Sequence, residues 1–162
     1  MSGQCLLRAA QVGAVADVRR LLDDGANVEE RSGTGAGPLH WAALLGHKQV
    51  AHLLLKAGAD KEAQCNEGGR PLHYAADKGM LEVVTTLVAS GANVEAQSGD
   101  GGRPLHCAAT EGEMGVVQFL VNIGAEVDVV NRAGETPIQK AERFGHSKVA
   151  KVGKVEPPCG SW

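Results

Sequence analysis

The sequence repeats itself with a period of 33 residues, and no other feature constrains the fold as strongly. The block PLHWAA at residues 38–43 recurs as PLHYAA at 71–76 and as PLHCAA at 104–109, and it weakens to PIQKA at 137–141. Of the 22 glycines, 13 keep the same spacing. A unit of this length cannot bury its own apolar surface, so the copies are expected to stack on one another in a row.

Each repeat carries the signals of two helices and one extended connection. Pro38 suits the first turn of a helix, because the N–H that proline lacks would have no partner there. Gly46 falls where a short turn between helices needs a positive φ, and Gly58 falls just after the second helix. The second helical segment has the apolar spacing of a buried stripe. The pattern predicts a short helix over 38–45, a longer helix over 47–57 and an extended finger over 59–69.

These features resemble the ankyrin repeat, a 33-residue unit made of a β-turn finger and two antiparallel helices. The resemblance covers residues 4–155 and is carried by the glycine register and the Pro-Leu-His-x-Ala-Ala block. It implies a mainly α fold, an ankyrin-repeat solenoid of helix-turn-helix units joined by β-hairpin fingers. The expected units run over about 4–33, 34–66, 67–99, 100–132 and 133–155, and a short disordered tail is expected at 156–162.

The two terminal units differ from the others in a way that suits the ends of a stack. Asp17 and Arg20 stand in the first unit where interior copies are apolar, and Gly153 and Lys154 replace leucines in the last unit. Polar outer faces keep terminal repeats soluble. We therefore expect a complete five-unit stack, with an N-terminal cap, three full repeats and a C-terminal cap, that folds alone as a monomer.

Stacked units of this kind line a concave groove with their fingers and first helices, and the resemblance implies that a partner binds there. Trp41 and Tyr74 are equivalent positions in adjacent units, so we expect them to be neighbours in an apolar patch that Arg70 and Arg103 flank. Trp, Tyr and Arg often dominate interface energy. The alternative is that Trp41 only packs over the helix of the next unit. The candidate partner-binding residues are Trp41, Leu44, Leu45, Arg70, Tyr74, Asp77, Lys78, Arg103, Thr110, Glu111, Arg143 and Phe144.

The residue before the repeated proline departs from the family pattern. Members of the family usually have a threonine there, whose hydroxyl caps the helix, whereas this chain has Gly37, Arg70, Arg103 and Thr136. Arginine is a poor N-cap, and each copy is expected to lose about 1 kcal/mol. Two explanations stay open: a functional role for the two guanidinium groups, or drift between two nearly identical copies.

Charge is distributed unevenly along the chain. The net charge is −3 overall, but residues 1–131 carry −6 and residues 132–154 carry +4. The chain lacks the basic surplus that binds phosphate backbones, so no nucleic acid is expected as a partner. Lys148, Lys151 and Lys154 recur every three residues, a spacing that predicts one helical face. That face is either a solvated cap whose cations suit a helix C-terminus or a docking site for an acidic partner.

The residues that could suggest chemistry have structural explanations. His40, His73 and His106 lie on successive layers about 8–10 Å apart, too far to share a metal ion. We expect each to bond backbone groups in its own repeat and in the next finger. The glycine-rich segment 33–37 lacks the spacing of a phosphate-binding loop and is expected to form a finger turn. No catalytic residue, metal or cofactor is predicted, and the chain is not expected to be an enzyme.

The cysteines and the hydropathy pattern bear on location. Cys5, Cys65, Cys107 and Cys159 form no Cys-x-x-Cys pair, which favours free thiols in a reducing compartment. No apolar run approaches the roughly 20 residues that span a bilayer, and the N-terminal segment has no signal-peptide core. We therefore expect a cytoplasmic or nuclear protein with no membrane association.

The leading functional hypothesis is a non-enzymatic binding module, a scaffold or adaptor that holds a partner protein in the concave groove. The alternative is a stoichiometric inhibitor that occludes the surface of a kinase or other enzyme. Short ankyrin chains of similar size include the cyclin-dependent kinase inhibitors. Their second repeat is degenerate, whereas residues 38–58 are regular here, which disfavours that specific identity.

Overall fold

Ten helices form five pairs within the part of the chain that the structure describes. A computed structural model describes the backbone of residues 2–152 and the side chains of residues 6–152. Within these residues the helices are α1 Ser2–Val12, α2 Val15–Asp23, α3 Pro38–Leu45, α4 Lys48–Lys56, α5 Pro71–Asp77, α6 Leu81–Ala89, α7 Pro104–Glu111, α8 Met114–Asn122, α9 Pro137–Arg143 and α10 Ser147–Ala150. None of them is long and apolar enough to cross a bilayer. The predicted helix pair of each repeat is confirmed.

Proline and glycine set the helix limits, as the repeat pattern predicts. Pro38 begins α3, and Gly46 ends it with a left-handed backbone at φ 74°. The described residues with positive φ are all glycines, and they are the same 13 that keep the repeat spacing in the sequence. The excess of glycine therefore comes from turn positions that only glycine occupies without strain.

The connections between helix pairs are turns, and the expected β-hairpin fingers are not confirmed. Residues 2–152 contain no strand. In one connection the Cys65 N–H donates to the Gly69 carbonyl at 2.9 Å, and the Gly68 N–H donates to the Cys65 carbonyl at 2.9 Å. A single backbone bond, from Asn66 N–H to the Thr34 carbonyl at 3.0 Å, joins this turn to the preceding one. One bond between turns does not make the ladder that defines a strand pair.

The helices stack in two parallel rows. The inner helices α1, α3, α5, α7 and α9 each contact the next, and the outer helices α2, α4, α6, α8 and α10 do the same. The Ala-Ala pair of each inner block is buried, with Ala42, Ala43, Ala75 and Ala76 at 0% exposure. Leucine and valine from both rows complete the core. Small inner side chains let the layers approach closely, which explains how a chain with so few aromatic residues fills its core.

The terminal layers are polar or short. Asp17 and Arg20 are exposed on α2 and form an ion pair at 3.6 Å. At the other end, α10 has four residues, whereas the equivalent outer helices have nine. Lys148 and Lys151 are exposed there, and Lys154 lies outside the described residues. Because a terminal layer has a neighbour on one side only, its outer surface faces water.

Candidate binding groove

Two adjoining cavities lie between the inner helices and the connecting turns. The first has a volume of about 400 Å³, and Trp41 and Leu44 of α3 and Tyr74 of α5 line it together with the turn residues Thr34 and Ala36. The second, of about 910 Å³, lies one layer further along, between α5, α7 and their turns. The two share four lining residues: Cys65, Asn66, Glu67 and Tyr74. They therefore form one continuous groove.

Tyr74 forms the floor at the junction of the two cavities, and its ring is fixed on three sides. Its hydroxyl donates to Cys65 Sγ at 3.2 Å, and its ring meets His40 edge-on, with 5.6 Å between centroids. A Cβ on Gly69 would lie 3.2 Å from Tyr74 Cε2, so glycine admits the ring. Burial, the bond to Cys65 and the charges of Glu67 and Asp77 raise the pKa of Tyr74 above its ordinary value. The hydroxyl is therefore a neutral hydrogen-bond donor.

Trp41 lines the first cavity and is also partly embedded in the stack. The residue is half-buried, and its indole Nε1 is buried without a hydrogen-bond partner among the described residues. The ring therefore contributes surface to the groove while its polar edge faces protein. This geometry is compatible with both interpretations of Trp41, as a contact for a partner and as a packing residue.

Other candidate residues fall at three different places. Asp77 lines the second cavity and forms an exposed ion pair with Lys78 at 2.9 Å. Leu45 is 44% exposed and is not among the residues that line either cavity. At the last unit Arg143 lies 5.5 Å from the ring centroid of Phe144, which is 50% exposed. The apolar patch expected around Trp41 thus has Leu44 as part of the cavity and Leu45 outside it.

Thr110 and Glu111 lie at the end of α7 and differ in exposure. Thr110 is half-buried, and its hydroxyl donates to the His106 carbonyl at 2.7 Å. Glu111 is exposed. Neither residue lines the two cavities described above.

Arg70 and Arg103 form ion pairs within the stack and are not among the cavity-lining residues. Arg70 Nη1 donates to Glu62 Oε2 at 2.5 Å, and Arg103 Nη1 contacts Glu95 Oε2 in the same way. Arg103 also reaches Glu126 at 3.0 Å. Both arginine side chains are about four-fifths buried, at 20% and 18% exposure. The two arginines that depart from the family pattern therefore have acidic partners within the stack.

The glutamates of these pairs also tie one unit to the next, a feature that the sequence interpretation missed. The second carboxylate oxygen of Glu62 accepts the Asn93 N–H at 2.7 Å, and that of Glu95 accepts the Glu126 N–H at 2.9 Å. Glu29 accepts the Asp60 N–H at 2.7 Å in the same manner. The signal is visible in the sequence, because glutamate recurs every 33 residues at 29, 62 and 95.

The three repeated histidines are buried and bond backbone groups in two units, as predicted. His40 Nδ1 accepts the Gly37 N–H at 3.1 Å, so Nε2 carries the proton and donates to the Gly69 carbonyl at 3.3 Å. His73 and His106 make the equivalent bonds. Burial lowers the pKa of His40 to about 4. Among the described residues no group of three or more His, Cys, Asp or Glu side chains is placed to hold a metal ion.

Comparison with known families agrees with this architecture. A family model described as ankyrin repeats (3 copies) matches residues 6–98 and residues 72–152. The chain belongs to the ankyrin repeat family. Ankyrin repeats are in general protein–protein interaction modules without enzymatic activity. No curated protein matches this chain.

The groove of this ankyrin repeat chain is electronegative in its second cavity. Glu67, Asp77 and Asp100 line it, and no lysine or arginine is among the described residues that line either cavity. Burial, followed by the charges of Asp77 and Asp100, raises the pKa of Cys107 to about 12. The described side chains that line the second cavity therefore include three carboxylates and no positively charged group.

Proposed function

We propose that this ankyrin repeat chain is a non-enzymatic binding module that holds a partner protein in its groove. The observation that supports the proposal is the first cavity, where Trp41, Leu44 and Tyr74 present half-buried apolar surface to solvent. Its volume of about 400 Å³ falls within the range of ligand pockets, roughly 300–1,000 Å³. A partner side chain that enters it would remove aromatic surface from water.

The fixed position of Tyr74 strengthens this proposal. Its ring is held by Cys65, His40 and Gly69, so little side-chain freedom is lost when a partner binds. Aromatic residues in such surroundings are typical of the few positions that dominate binding energy. We propose that Lys78, Thr110 and Glu111 form the rim of the groove, beside Asp77 in the second cavity.

The proposal is tested by alanine substitution at the cavity. Trp41→Ala is expected to weaken binding to a captured partner by more than about 1 kcal/mol, because it removes an aromatic wall of the pocket. The helical circular dichroism spectrum is expected to stay unchanged. Affinity purification with wild type beside Trp41→Ala/Tyr74→Ala identifies the partner, and titration calorimetry then measures each variant.

The comparison variant is Phe144→Ala, which removes an exposed aromatic ring that the sequence made a candidate but that lies outside both cavities. This variant is expected to bind the partner as wild type does. A drop of several kcal/mol in the unfolding free energy of Trp41→Ala would instead make Trp41 a packing residue. Equal loss of binding in Phe144→Ala would place the contact elsewhere on the molecule.

A further inference from the structure

The chemistry of the two cavities differs in a way that specifies a ligand. The first has apolar walls from Trp41 and Leu44 and contains one carboxylate, Glu67, at its border with the second. The second adds Asp77 and Asp100. Because the cavities share Tyr74 as a floor, a single segment lying along the groove contacts an apolar site and an acidic site in succession.

The carboxylates of the second cavity are only weakly neutralised by the protein itself. Glu67 is exposed and forms no ion pair with a described residue. Asp77 is paired with Lys78, but both side chains are partly exposed, at 35% and 47%, and a pair of this kind contributes little. Asp100 accepts hydrogen bonds from the Ser98 hydroxyl and the Gly102 N–H, and the charge of Lys140, which does not line the cavity, acts on it as well. A cation entering the cavity would find three acceptors and no competing positive group lining it.

Tyr74 offers a further contact for a cation. Its ring lines both cavities and lies near Glu67 and Asp77, whose charges act on it. A guanidinium or ammonium group over an aromatic face is attracted by the ring quadrupole. An aromatic floor with carboxylates on the walls is therefore complementary to lysine and arginine.

We propose that the groove binds an extended peptide segment whose large apolar side chain enters the cavity at Trp41 and Leu44, and whose lysine or arginine lies among Glu67, Asp77 and Asp100. This rests on the proposed function and names the chemistry of the partner. Neighbouring inner helices are about 8–10 Å apart. An extended chain covers that distance in about three residues, which sets the spacing between the two anchors.

The test selects peptides of about 12 residues from a random phage-displayed library on the immobilised full chain. Wild type is expected to enrich peptides that carry a large apolar residue and a lysine or arginine about three positions apart. The selected peptides are then synthesised, each beside a copy with glutamine in place of the basic residue. Fluorescence anisotropy measures their Kd values, and the glutamine copies are expected to bind about tenfold more weakly.

Charge reversal supplies the decisive comparison. The variant Glu67→Lys/Asp77→Lys is expected to bind the basic peptides with a Kd about tenfold or more higher than that of wild type. In a fresh selection it is expected to enrich acidic peptides. The matched control is Asp23→Lys/Asp24→Lys, which makes the same charge change at the exposed end of outer helix α2. Lysine suits a helix C-terminus, so the control is expected to fold and to bind the peptides within about twofold of wild type.

The possible failures are separable. If the selected peptides lack a basic residue but no longer bind Trp41→Ala, the proposal of an acidic site is wrong and the proposal of a binding groove stands. Peptides that bind equally well to Trp41→Ala and to the charge-reversed variant would overturn the groove itself. Failure to enrich any peptide from the library overturns the inference, because a linear segment that fits the groove should bind without a folded protein around it. That result leaves the proposed function standing, since the groove could still bind a folded surface.

Discussion

Gly68 and Gly134 occupy equivalent positions two units apart and differ in what surrounds them. Their φ angles are +75° and +77°, so both lie in the left-handed region. A Cβ on Gly68 would lie 2.7 Å from the backbone nitrogen of Gly99, whereas a Cβ on Gly134 would meet nothing within 4 Å. The Gly99 N–H is itself held by the Glu67 carbonyl at 2.9 Å. The same turn therefore has a steric requirement where a further turn packs against it, as at Gly68, and none at Gly134 in the last unit.

Alanine substitution at these two glycines separates backbone strain from contact. Gly134→Ala is expected to lower the unfolding free energy by about 1–2 kcal/mol, the cost of a left-handed alanine. Gly68→Ala is expected to cost about 1–3 kcal/mol more, because the neighbouring backbone must move. Urea denaturation followed by circular dichroism measures both. Equal losses in the two variants would contradict the close approach of the turns.

His40 makes the stability of the stack depend on pH. Its pKa is lowered from 6.5 to about 4 in the folded chain because it is buried, so the unfolded chain binds the proton more tightly. The contribution of neutral, buried His40 to the free energy of unfolding is therefore fully present above pH 6.5 and is lost as the pH falls toward 4. Burial also lowers the pKa values of His73 and His106, so all three histidines act in the same direction.

The prediction is that the unfolding free energy falls on acidification, and that His40→Gln makes the fall shallower. The histidine contributes a slope of up to about 1.4 kcal/mol per pH unit between its two pKa values. Glutamine is a suitable replacement, because Gln139 fills the equivalent position in the last unit and accepts the Thr136 N–H at 2.8 Å. Denaturation series at several pH values give the slope. An unchanged slope in His40→Gln would assign the acid sensitivity to other groups.

At the level of the elements, the inner helices α5, α7 and α9 begin in two different ways. Thr136 and Gln139 form a reciprocal cap on α9, with the Gln139 N–H donating to the threonine hydroxyl at 3.2 Å. In α5 and α7 the residue before proline is an arginine that makes no cap bond of this kind. There the side chain reaches a glutamate eight residues back and links the helix start to the next layer.

Glu62 tests whether this link contributes to stability. Glu62→Ala removes the ion pair with Arg70 and the acceptor of the Asn93 N–H, and hydrogen bonds to charged groups are worth about 1.5–3 kcal/mol. We expect a loss of that size in urea denaturation. Glu62→Gln keeps an acceptor for Asn93 and is expected to cost less. A glutamine variant as unstable as the alanine variant would show that the bond between layers contributes nothing.

At the level of the whole molecule, each layer packs only on its neighbours. Leu87 on α6 is fully buried in the middle of the stack, and Val149 on α10 is 3% exposed in the last layer. In such an array stability is close to a sum of unit and interface terms. A defect in the middle therefore weakens two interfaces, and a defect at the end weakens one.

Substitutions at these two positions are expected to differ in how much of the stack they destabilise. Leu87→Ala is expected to lower the unfolding free energy by about 2–5 kcal/mol, because it opens a cavity in a layer packed on both sides. Val149→Ala is expected to cost less and to speed amide hydrogen exchange in α9 and α10 only. Urea denaturation and exchange measured by NMR check the pair. Faster exchange throughout the stack in Val149→Ala would contradict nearest-neighbour packing.

The sequence alone was enough to determine the layers of this ankyrin repeat protein. The proline, the histidine and the glycines of each unit act within that unit or on the adjacent turn, so a 33-residue pattern records them directly. The helix pairs, the positive φ angles and the bonding of His40 were predictable for this reason. The connections were not: glycine indicates a turn, but strand pairing depends on how many bonds neighbouring turns make.

Only the tertiary structure decided the chemistry of the groove. The sequence made Arg70 a candidate contact for a partner, and the structure shows that it forms an ion pair with Glu62. Leu45 follows Leu44 in sequence but lies outside the cavity. Conversely, Glu67 and Asp100 come together with Asp77 around one cavity although they belong to three different elements. Such properties depend on which side chains of adjacent layers meet. The repeat specifies where each position sits, but not the charge and shape that its neighbours create.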